Sequence, residues 1–296
     1  MGCCSNSKKN IFDPFGLADE GFENDSTKYD NEELLFPADQ QYYNEMNAFE
    51  DILLLKDIPL EKYVICLFEV IGKKDLQTEQ EKKVPSFSKY EETYKSLIEP
   101  EALTIFTTKL LEDYQNQESR NYKLTYKTII SMGNTISNHI QLKGADKFFL
   151  LHMMSIGFLY CKGENLRKLK FFYELFKMEE DVEPYLRCDS YIDMFLFSML
   201  IVATIGNFDA QKNANILKKE MEEDLQEKFC QICAINGFEQ PVLESLLGID
   251  DVNEINEFKI TWQKLYERYV KKEIKYWPFS ARCLRTYIRQ RIDSQT

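Results

Sequence analysis

The chain has 296 residues, of which 44% are hydrophobic and 29% charged, and its formal net charge is −12. This composition excludes a disordered chain, and the acidic balance argues against a nucleic-acid partner, because phosphate-binding domains are normally basic. The charge is unevenly placed. Residues 13–61 hold fourteen Asp and Glu against two Lys, whereas residues 259–291 hold ten Lys and Arg against two Glu. The sequence therefore has an acidic end and a basic end.

The first nine residues, MGCCSNSKK, have the pattern of an acylated terminus. Once the initiator methionine is removed, Gly2 presents the amine that N-myristoylation needs, and two cysteines follow where palmitoylation occurs. A single myristoyl chain binds a membrane with only about 10⁴ M⁻¹, so stable anchoring needs a second chain or basic residues. The pattern departs at Asn6, where Ser or Thr is preferred. The predicted lipidation sites are Gly2, Cys3 and Cys4, and the predicted membrane contacts beside them are Lys8 and Lys9.

We divide the chain into four predicted parts. Residues 1–37 lack periodicity and are predicted to form an acylated, disordered tether, and residues 38–85 an acidic helical segment and loop. Within that segment, apolar residues at three- and four-residue steps predict a helix that begins at Asp39 and ends before Pro59, and a second, shorter helix follows at about 60–71. Residues 86–276 are predicted to form a helical body and residues 277–296 a basic C-terminal tail.

The body is predicted to be all-α, because it has few glycines and prolines and no sustained strand-like alternation. Two of its segments, 148–161 and 194–206, are apolar on nearly all sides. A membrane span needs about 20 apolar residues, so both are too short to cross a bilayer. We expect them to be helices at the centre of the core. Without an export signal, the cysteines are expected to be reduced thiols.

Three segments of the body combine an apolar helix, a loop of about a dozen residues and a second helix. The loops are placed at residues 115–122, 177–189 and 248–257, each followed by apolar residues. This pattern, clearest in LLHMMSIGFLYCKGENLRKLKFFYELF, resembles EF-hand-like helical proteins, including membrane-tethered calcium-sensor relatives and the helical region of myristoylated TLDc proteins. The resemblance covers about residues 101–269 and implies an array of helix–loop–helix units.

The predicted loops depart from the EF-hand ligand set. A calcium loop needs carboxylates or amides at positions 1, 3 and 5, Gly at 6 and Glu at 12. These positions fall at Gln117, Ser119, Asn121, Tyr122 and Thr128 in the first loop, at Lys177, Glu179, Asp181, Val182 and Cys188 in the second, and at Asn253, Ile255, Glu257, Phe258 and Lys264 in the third. The sequence therefore predicts no metal site and no cofactor, with calcium binding as the alternative.

No motif of an enzyme stands out. Cys230 and Cys233 form a CxxC pair, which is predicted to pack on one face of a helix rather than to bind zinc. His152 lies in an apolar helix and is expected to be a hydrogen-bonded core residue. Phosphate-binding glycine loops, nucleophile elbows and HExxH motifs do not occur. We expect neither catalysis nor a small-molecule substrate.

The basic end is predicted to contact an anionic membrane or an acidic partner. Three interpretations stay open: the basic side chains lie on anionic headgroups, dock on the acidic segment of the same chain, or form a solvated face. The residues are Lys264, Arg268, Lys271, Lys272, Lys275, Arg282, Arg285 and Arg289.

Together these features predict a non-catalytic, lipid-anchored adaptor. It would recruit or position an unidentified protein partner at the cytoplasmic face of a membrane, such as the plasma or ciliary membrane. Two alternatives remain: a calcium sensor with one atypical EF-hand site, and a structural subunit of a stable cytoskeletal or ciliary assembly.

Overall fold

A computed structural model describes residues 46–70, 91–114, 120–139, 148–178, 183–187, 190–206, 240–249 and 258–293. Helices dominate these residues and strands are few and short, which confirms the all-α prediction. The predicted tether over 1–37 lies outside the described residues. So do these individually predicted residues: Gly2, Cys3, Cys4, Lys8, Lys9, Cys230 and Cys233.

The described elements follow one another along the chain as helices joined by short strands or turns. In order they are α1 (46–52), α2 (Leu60–Val70), α3 (Glu91–Tyr94), β1 (Leu97–Ile98), α4 (Pro100–Leu110), α5 (Arg120–His139), β2 (Phe148–Phe149), α6 (Leu150–Tyr160), α7 (Asn165–Phe176), β3 (Tyr185–Arg187), α8 (Ser190–Ile201), α9 (Gln240–Leu247), β4 (Lys259–Thr261), α10 (Trp262–Val270) and α11 (Ala281–Asp293). Two 3-10 turns lie at Leu54–Asp57 and Glu112–Tyr114, and α8 continues directly into a π-helix at Val202–Gly206.

Of the first helix predicted near the acidic end, residues 46–52 form α1 and Leu54–Asp57 form a 3-10 turn, while residues 39–45 lie outside the described residues; the second is present as α2. Pro59 separates α2 from the 3-10 turn after α1, as expected of a residue that cannot continue a helix. The chain at this point is joined to the junction of α6 and α7. The Leu60 N–H donates to the Lys162 carbonyl at 3.0 Å, and the Lys162 N–H donates to the Ile58 carbonyl at 2.9 Å. The start of the described chain is thereby fixed to the body.

Two short antiparallel ladders connect helices that are far apart in sequence. β1 pairs with β2, with Ile98 opposite Phe148, and β3 pairs with β4, with Leu186 opposite Ile260. Each strand lies between two helices. The described residues therefore contain two pairs of helix–strand–helix units: α3–β1–α4 with α5–β2–α6, and α7–β3–α8 with α9–β4–α10.

The core is centred on α6 and α8, the two apolar segments of the sequence. Every residue of α6 is buried, and α8 contributes Phe195 and Met199 at 0% exposure. The ring of Phe158 on α6 meets Phe171 and Phe195 edge-on, with centroids 5.1 and 5.2 Å apart. Such edge-to-face pairs add to the hydrophobic contribution of the rings. None of the helices within the described residues combines the length and the hydropathy that a membrane crossing requires.

The first predicted loop, residues 115–122, is wrong over its described residues, which begin at 120. Residues 120–128 form the first half of the 20-residue helix α5, so Asn121, Tyr122 and Thr128 lie in a helix. Three threonines in this helix are buried, at positions 125, 128 and 135. The intrinsic propensity of threonine is higher for strands than for helices. Here the helix is favoured because it places these threonines on the same buried face as Ile129.

The end of the chain also differs from the predicted basic tail. Over 277–293 it contributes to the main core: Trp277, Phe279, Leu284 and Tyr287 are each at most 2% exposed. The apolar residues are interleaved with arginines, so the helix α11 buries one side although its mean composition is basic. The arginines of this segment indicate a solvated tail, whereas the apolar residues between them form a buried face.

Tyr63 packs directly against Gly157 on α6. A Cβ at position 157 would lie 2.5 Å from the Tyr63 Cδ1 atom, closer than real contacts allow, whereas a Cβ at Gly163 would meet Lys168 at an ordinary 3.5 Å. The Tyr63 hydroxyl also donates to the Met153 carbonyl at 2.9 Å, which restricts its movement.

We therefore predict that Gly157→Ala lowers the free energy of unfolding by about 1–3 kcal/mol through overpacking. The matched variant Gly163→Ala should change it by less than about 1 kcal/mol. Urea denaturation followed by circular dichroism measures both. Equal effects of the two variants would contradict the packing described for Tyr63.

Candidate functional site

The described residues bring the acidic and basic ends of the chain together at one buried ion pair. Arg285 on α11 contacts both carboxylate oxygens of Glu50 on α1, with Nη1–Oε1 at 2.6 Å and Nη2–Oε2 at 3.0 Å. The side chains are 1% and 10% exposed. Arg285 Nη2 also donates to the Asn47 side-chain oxygen at 3.0 Å. This bidentate geometry is the strongest form of a charge-assisted pair, and it is shielded from water.

Arg285 also supports the π-helix that follows α8. Its Nη1 donates to the Ala203 carbonyl at 3.1 Å, and the Tyr160 hydroxyl donates to the neighbouring Val202 carbonyl at 3.2 Å. A π-helix is rare because its wide turn packs its backbone less well, and it often occurs at functional sites. Two side-chain donors here satisfy carbonyls of that turn. One arginine thus joins α1, the π-helix and α11; we call these three elements and their contacts the clasp.

Two apolar residues in and just after α1 form a small cluster outside the main core, and Met46 of α1 is also buried. Phe49 and Leu53 are each 1% exposed and pack with Ile52 and with Leu124 of α5, separately from the main core. The following residue, Leu54, belongs to the main core, and its N–H donates to the Thr125 hydroxyl at 2.9 Å. The boundary between the two clusters therefore falls between Leu53 and Leu54.

A second, exposed ion pair lies beside the clasp. Arg282 approaches Asp51 at 3.4 Å, and the two side chains are 42% and 64% exposed. The Lys56 ammonium contacts the Asp51 backbone carbonyl. Exposed pairs contribute between 0 and about 1 kcal/mol, because water screens the charges. This pair therefore adds charge complementarity to the site rather than most of its stability.

Arg268, which was predicted as a surface contact, has a local structural role. Its guanidinium donates to the Ser245 carbonyl at 3.0 Å, near the end of α9, and to Glu273 at 3.3 Å. Gly248 ends that helix with φ of 79°, and the guanidinium occupies the space that a Cβ there would need. A cation at a helix C-terminus is favourable, because the last carbonyls carry partial negative charge. Arg268 thus caps α9.

The remaining predicted basic contacts divide by exposure. Four lysines on and after α10 are exposed, and Val270 among them is 54% exposed. Their charge is partly balanced by Glu267, which lies 3.9 Å from the ammonium of Lys271. The four lysines are Lys264, Lys271, Lys272 and Lys275. The side chain of Arg289 lies outside the described residues, although its backbone belongs to α11.

His152 lies inside the core, as the sequence indicated. Its Nδ1 is 2.6 Å from the Ser198 hydroxyl, which donates to the Met194 carbonyl at 2.8 Å. The hydroxyl proton is thus used, so Nδ1–H donates to Ser198 and Nε2 carries no proton. Within the described residues Nε2 has no hydrogen-bond partner. Burial disfavours the charged ring and lowers the pKa of His152 to about 4.

The described residues contain no cluster of three or more histidine, cysteine, aspartate or glutamate side chains suited to a metal ion. The thiols of Cys66, Cys161 and Cys283 are buried and form no disulfide. Burial raises the pKa of the Cys66 and Cys161 thiols, so both stay protonated and unreactive at neutral pH. Comparisons with family models, with curated proteins and with solved structures find no match to this chain.

Sequence reasoning left open whether the two charged ends pair, and it did not single out the acidic partners. Glu50 and Asp51 are two of fourteen acidic residues in the segment 13–61. One local signal distinguishes Glu50: it directly follows the buried Phe49 in an amphipathic helix, at the edge of its apolar face. That signal indicates the orientation of the side chain but not its partner.

We predict that Arg285→Met lowers the free energy of unfolding by about 3–5 kcal/mol, because it removes both charge-assisted hydrogen bonds that Arg285 donates to the buried Glu50 carboxylate. The matched variant Arg282→Met, one turn earlier on the same helix, removes only an exposed pair and should cost less than about 1 kcal/mol. Urea denaturation of the two variants measures the difference. Similar losses of stability in the two variants would show that the buried Arg285–Glu50 pair contributes no more to the free energy of unfolding than the exposed pair.

The lowered pKa of His152 predicts a specific loss of stability in mild acid. The unfolded chain binds a proton at a pKa of about 6.5, whereas the folded chain resists it down to about 4. The stability that His152 contributes is therefore complete above pH 6.5 and is lost as the pH falls towards 4. Between pH 7 and pH 5 the loss from this group is about 2 kcal/mol.

His152→Met removes the titrating group and keeps an apolar side chain. Denaturation at pH 7 and pH 5 should show a smaller stability loss for this variant than for the wild-type chain, by about 2 kcal/mol. Parallel pH profiles for the two chains would mean that His152 is protonated equally in the folded and unfolded states.

Proposed function

We propose that this chain is a non-catalytic, lipid-anchored adaptor that positions a protein partner at the cytoplasmic face of a membrane. The observation that carries the proposal is the clasp. The segment with the predicted acylation sites leads into α1, and α1 is held to α11 and the π-helix by the Arg285–Glu50 pair. Lipid chains at Gly2, Cys3 and Cys4 would in this way hold the helical body close to the bilayer. Exposed lysines after α10 would add attraction to anionic headgroups.

The two pairs of helix–strand–helix units support an EF-hand-like arrangement of the body. EF-hands resemble these units in placing a short antiparallel ladder between two helix–loop–helix motifs. The packing of such a helical framework depends on buried apolar side chains, and α4, α6, α7 and α8 each supply them here. A body of this kind offers helical surfaces to a partner without requiring a bound ion.

The ladders also give a register for the ligand positions of such loops. The residues opposite each other, Ile98 with Phe148 and Leu186 with Ile260, correspond to the hydrophobic position 8 of an EF-hand loop. The bidentate glutamate of position 12 would then fall four residues later. Those four positions hold Ala102, His152, Ser190 and Lys264. A carboxylate is absent from all four, which supports an adaptor over a sensor.

One observation favours the alternative of a calcium sensor with an atypical site. In the register of the β3–β4 ladder, positions 1, 3 and 5 of the loop after α7 hold Glu179, Asp181 and Glu183, which are hard oxygen ligands. Against it, Met178 and Tyr185 exchange backbone hydrogen bonds of 2.8 and 3.2 Å. This bridge joins the residues that flank the acidic segment in sequence, whereas position 12 comes later, at Ser190. Calorimetric titration with calcium, comparing the wild-type chain with Asp181→Asn, distinguishes the two functions.

The adaptor function is tested by intact-mass spectrometry and membrane fractionation of the protein from its own cells. We expect added mass for myristate and palmitate, and loss of membrane association in Gly2→Ala, because a chain without the N-terminal glycine cannot be myristoylated. Gly16→Ala is the matched control and should stay with the membrane.

A double variant, Cys3→Ser with Cys4→Ser, should leave only weak and reversible binding, since one acyl chain gives about 10⁴ M⁻¹. An unmodified protein that fractionates away from membranes would contradict the anchor. The helical body would then be an interaction module located by its partners alone.

A further inference from the structure

We propose that the turn after α10, residues 270–276, is a second membrane contact that binds anionic lipid headgroups independently of the acyl chains. We call it the lysine turn. The inference rests on the proposed function and deepens it, because it assigns the headgroup contact to one surface and states which lipids that surface selects. Residues 263–276 hold five Lys and Arg against two Glu, whereas the whole chain has a net charge of −12. This part of an acidic protein is therefore locally basic.

The backbone of the lysine turn is held by a serine of α9 and an arginine of α10. The N–H groups of Lys275 and Tyr276 both donate to the Ser245 hydroxyl, at 2.7 and 2.8 Å. Arg268 donates to the Ser245 carbonyl at 3.0 Å, and Ile274 in the turn is only 3% exposed. The lysine side chains thus project from a backbone that is already fixed to the body.

One lysine of the turn occupies a position at which glycine is usual. Lys272 follows the last residue of α10 and has φ of 60°, in the left-handed region. Its N–H donates to the Tyr269 carbonyl, and the Glu273 N–H donates to the Arg268 carbonyl, both at 3.0 Å. This pattern is a Schellman helix end, where glycine is favoured because a Cβ disfavours left-handed backbone. Strained positions of this kind cluster at functional sites, which favours a role for the lysine side chain.

Four exposed lysines flank one exposed apolar residue in this part of the chain. Val270 is 54% exposed, and Lys264 lies two helical turns before Lys271, on the same side of α10. The four lysines are Lys264, Lys271, Lys272 and Lys275.

The choice of lysine favours a bilayer over an acidic protein as the occupant. Lysine is a hydrated point charge on a flexible stem, so it suits a field of headgroups better than one fixed carboxylate. Protein interfaces are depleted in lysine and enriched in arginine, and the nearby Arg268 is used inside the fold to cap α9. The lysine turn therefore matches the negative surface of a membrane that contains anionic lipids.

The experiment uses the full-length, unacylated chain and sedimentation with vesicles of phosphatidylcholine, either alone or with about 30% phosphatidylserine. We expect binding to the anionic vesicles only, at about 0.1 M salt, and its loss at about 0.5 M salt, because salt screens exposed charges. Each lysine near the surface contributes about fivefold, so Lys271→Gln with Lys275→Gln should lower the partition coefficient at least about tenfold. The matched double variant Lys123→Gln with Lys127→Gln removes two exposed lysines of α5. It should lower the coefficient less than about threefold, since charges beyond a Debye length from the bilayer are screened.

The variant Lys272→Gly separates membrane binding from stability. Glycine is favoured at this left-handed position, so the urea midpoint should stay the same or rise, while vesicle binding should fall about fivefold. A purely structural role of Lys272 would leave vesicle binding unchanged.

Several results would overturn the proposal: no binding to anionic vesicles, equal binding to neutral ones, or equal losses in the two double variants. Binding to soluble polyglutamate but not to vesicles would also overturn it, because the partner would then be an acidic protein segment. The chain carries no acyl group in these measurements, so their failure is distinct from failure of the acyl anchor.

Discussion

The structure depends on a buried arginine that must be paired. Arg285 lies in the interior with a 1% exposed side chain, and a guanidinium in that position is unfavourable unless oxygens surround it. Glu50, Asn47 and the Ala203 carbonyl supply those oxygens from two elements far from α11 in sequence. The requirement explains why the start and the end of the described chain lie side by side. It also explains how a wide π-turn is held after α8.

The clasp connects the segment that follows the predicted acylation sites to the helical body. Acyl chains at the N-terminus locate a protein only as firmly as the segment behind them is attached, and α1 is the first described part of that segment. The interior that α1 joins is a large aromatic and aliphatic core around α6 and α8. Two short antiparallel ladders join the helix–strand–helix units of this body in pairs. A helical body joined in this way to the segment behind the predicted acylation sites is what the proposed adaptor requires.

Much of the fold follows from periodicity in the sequence. The apolar runs that became α6 and α8 predict buried helices, and Pro59 marks the start of α2, because both signals are local. The start of α5 was misread because threonines weaken the helical signal while their burial depends on neighbours distant in sequence. The helix α11 was misread because its arginines indicate surface by default, and only a partner 235 residues away explains the burial of Arg285. A contact between residues so far apart in sequence leaves no local pattern, so the clasp could not be predicted from the sequence.

The central claim is that one ion pair couples three elements, and hydrogen exchange measured by mass spectrometry tests it most directly. The comparison is between the wild-type chain, Glu50→Gln and the matched exposed variant Asp51→Asn. The account predicts that Glu50→Gln increases exchange together in residues 46–52, 202–206 and 281–293, while Asp51→Asn leaves all three protected as in the wild-type chain. Increased exchange confined to residues 46–52 would contradict it, because Arg285 would then hold the π-helix and α11 without help from Glu50.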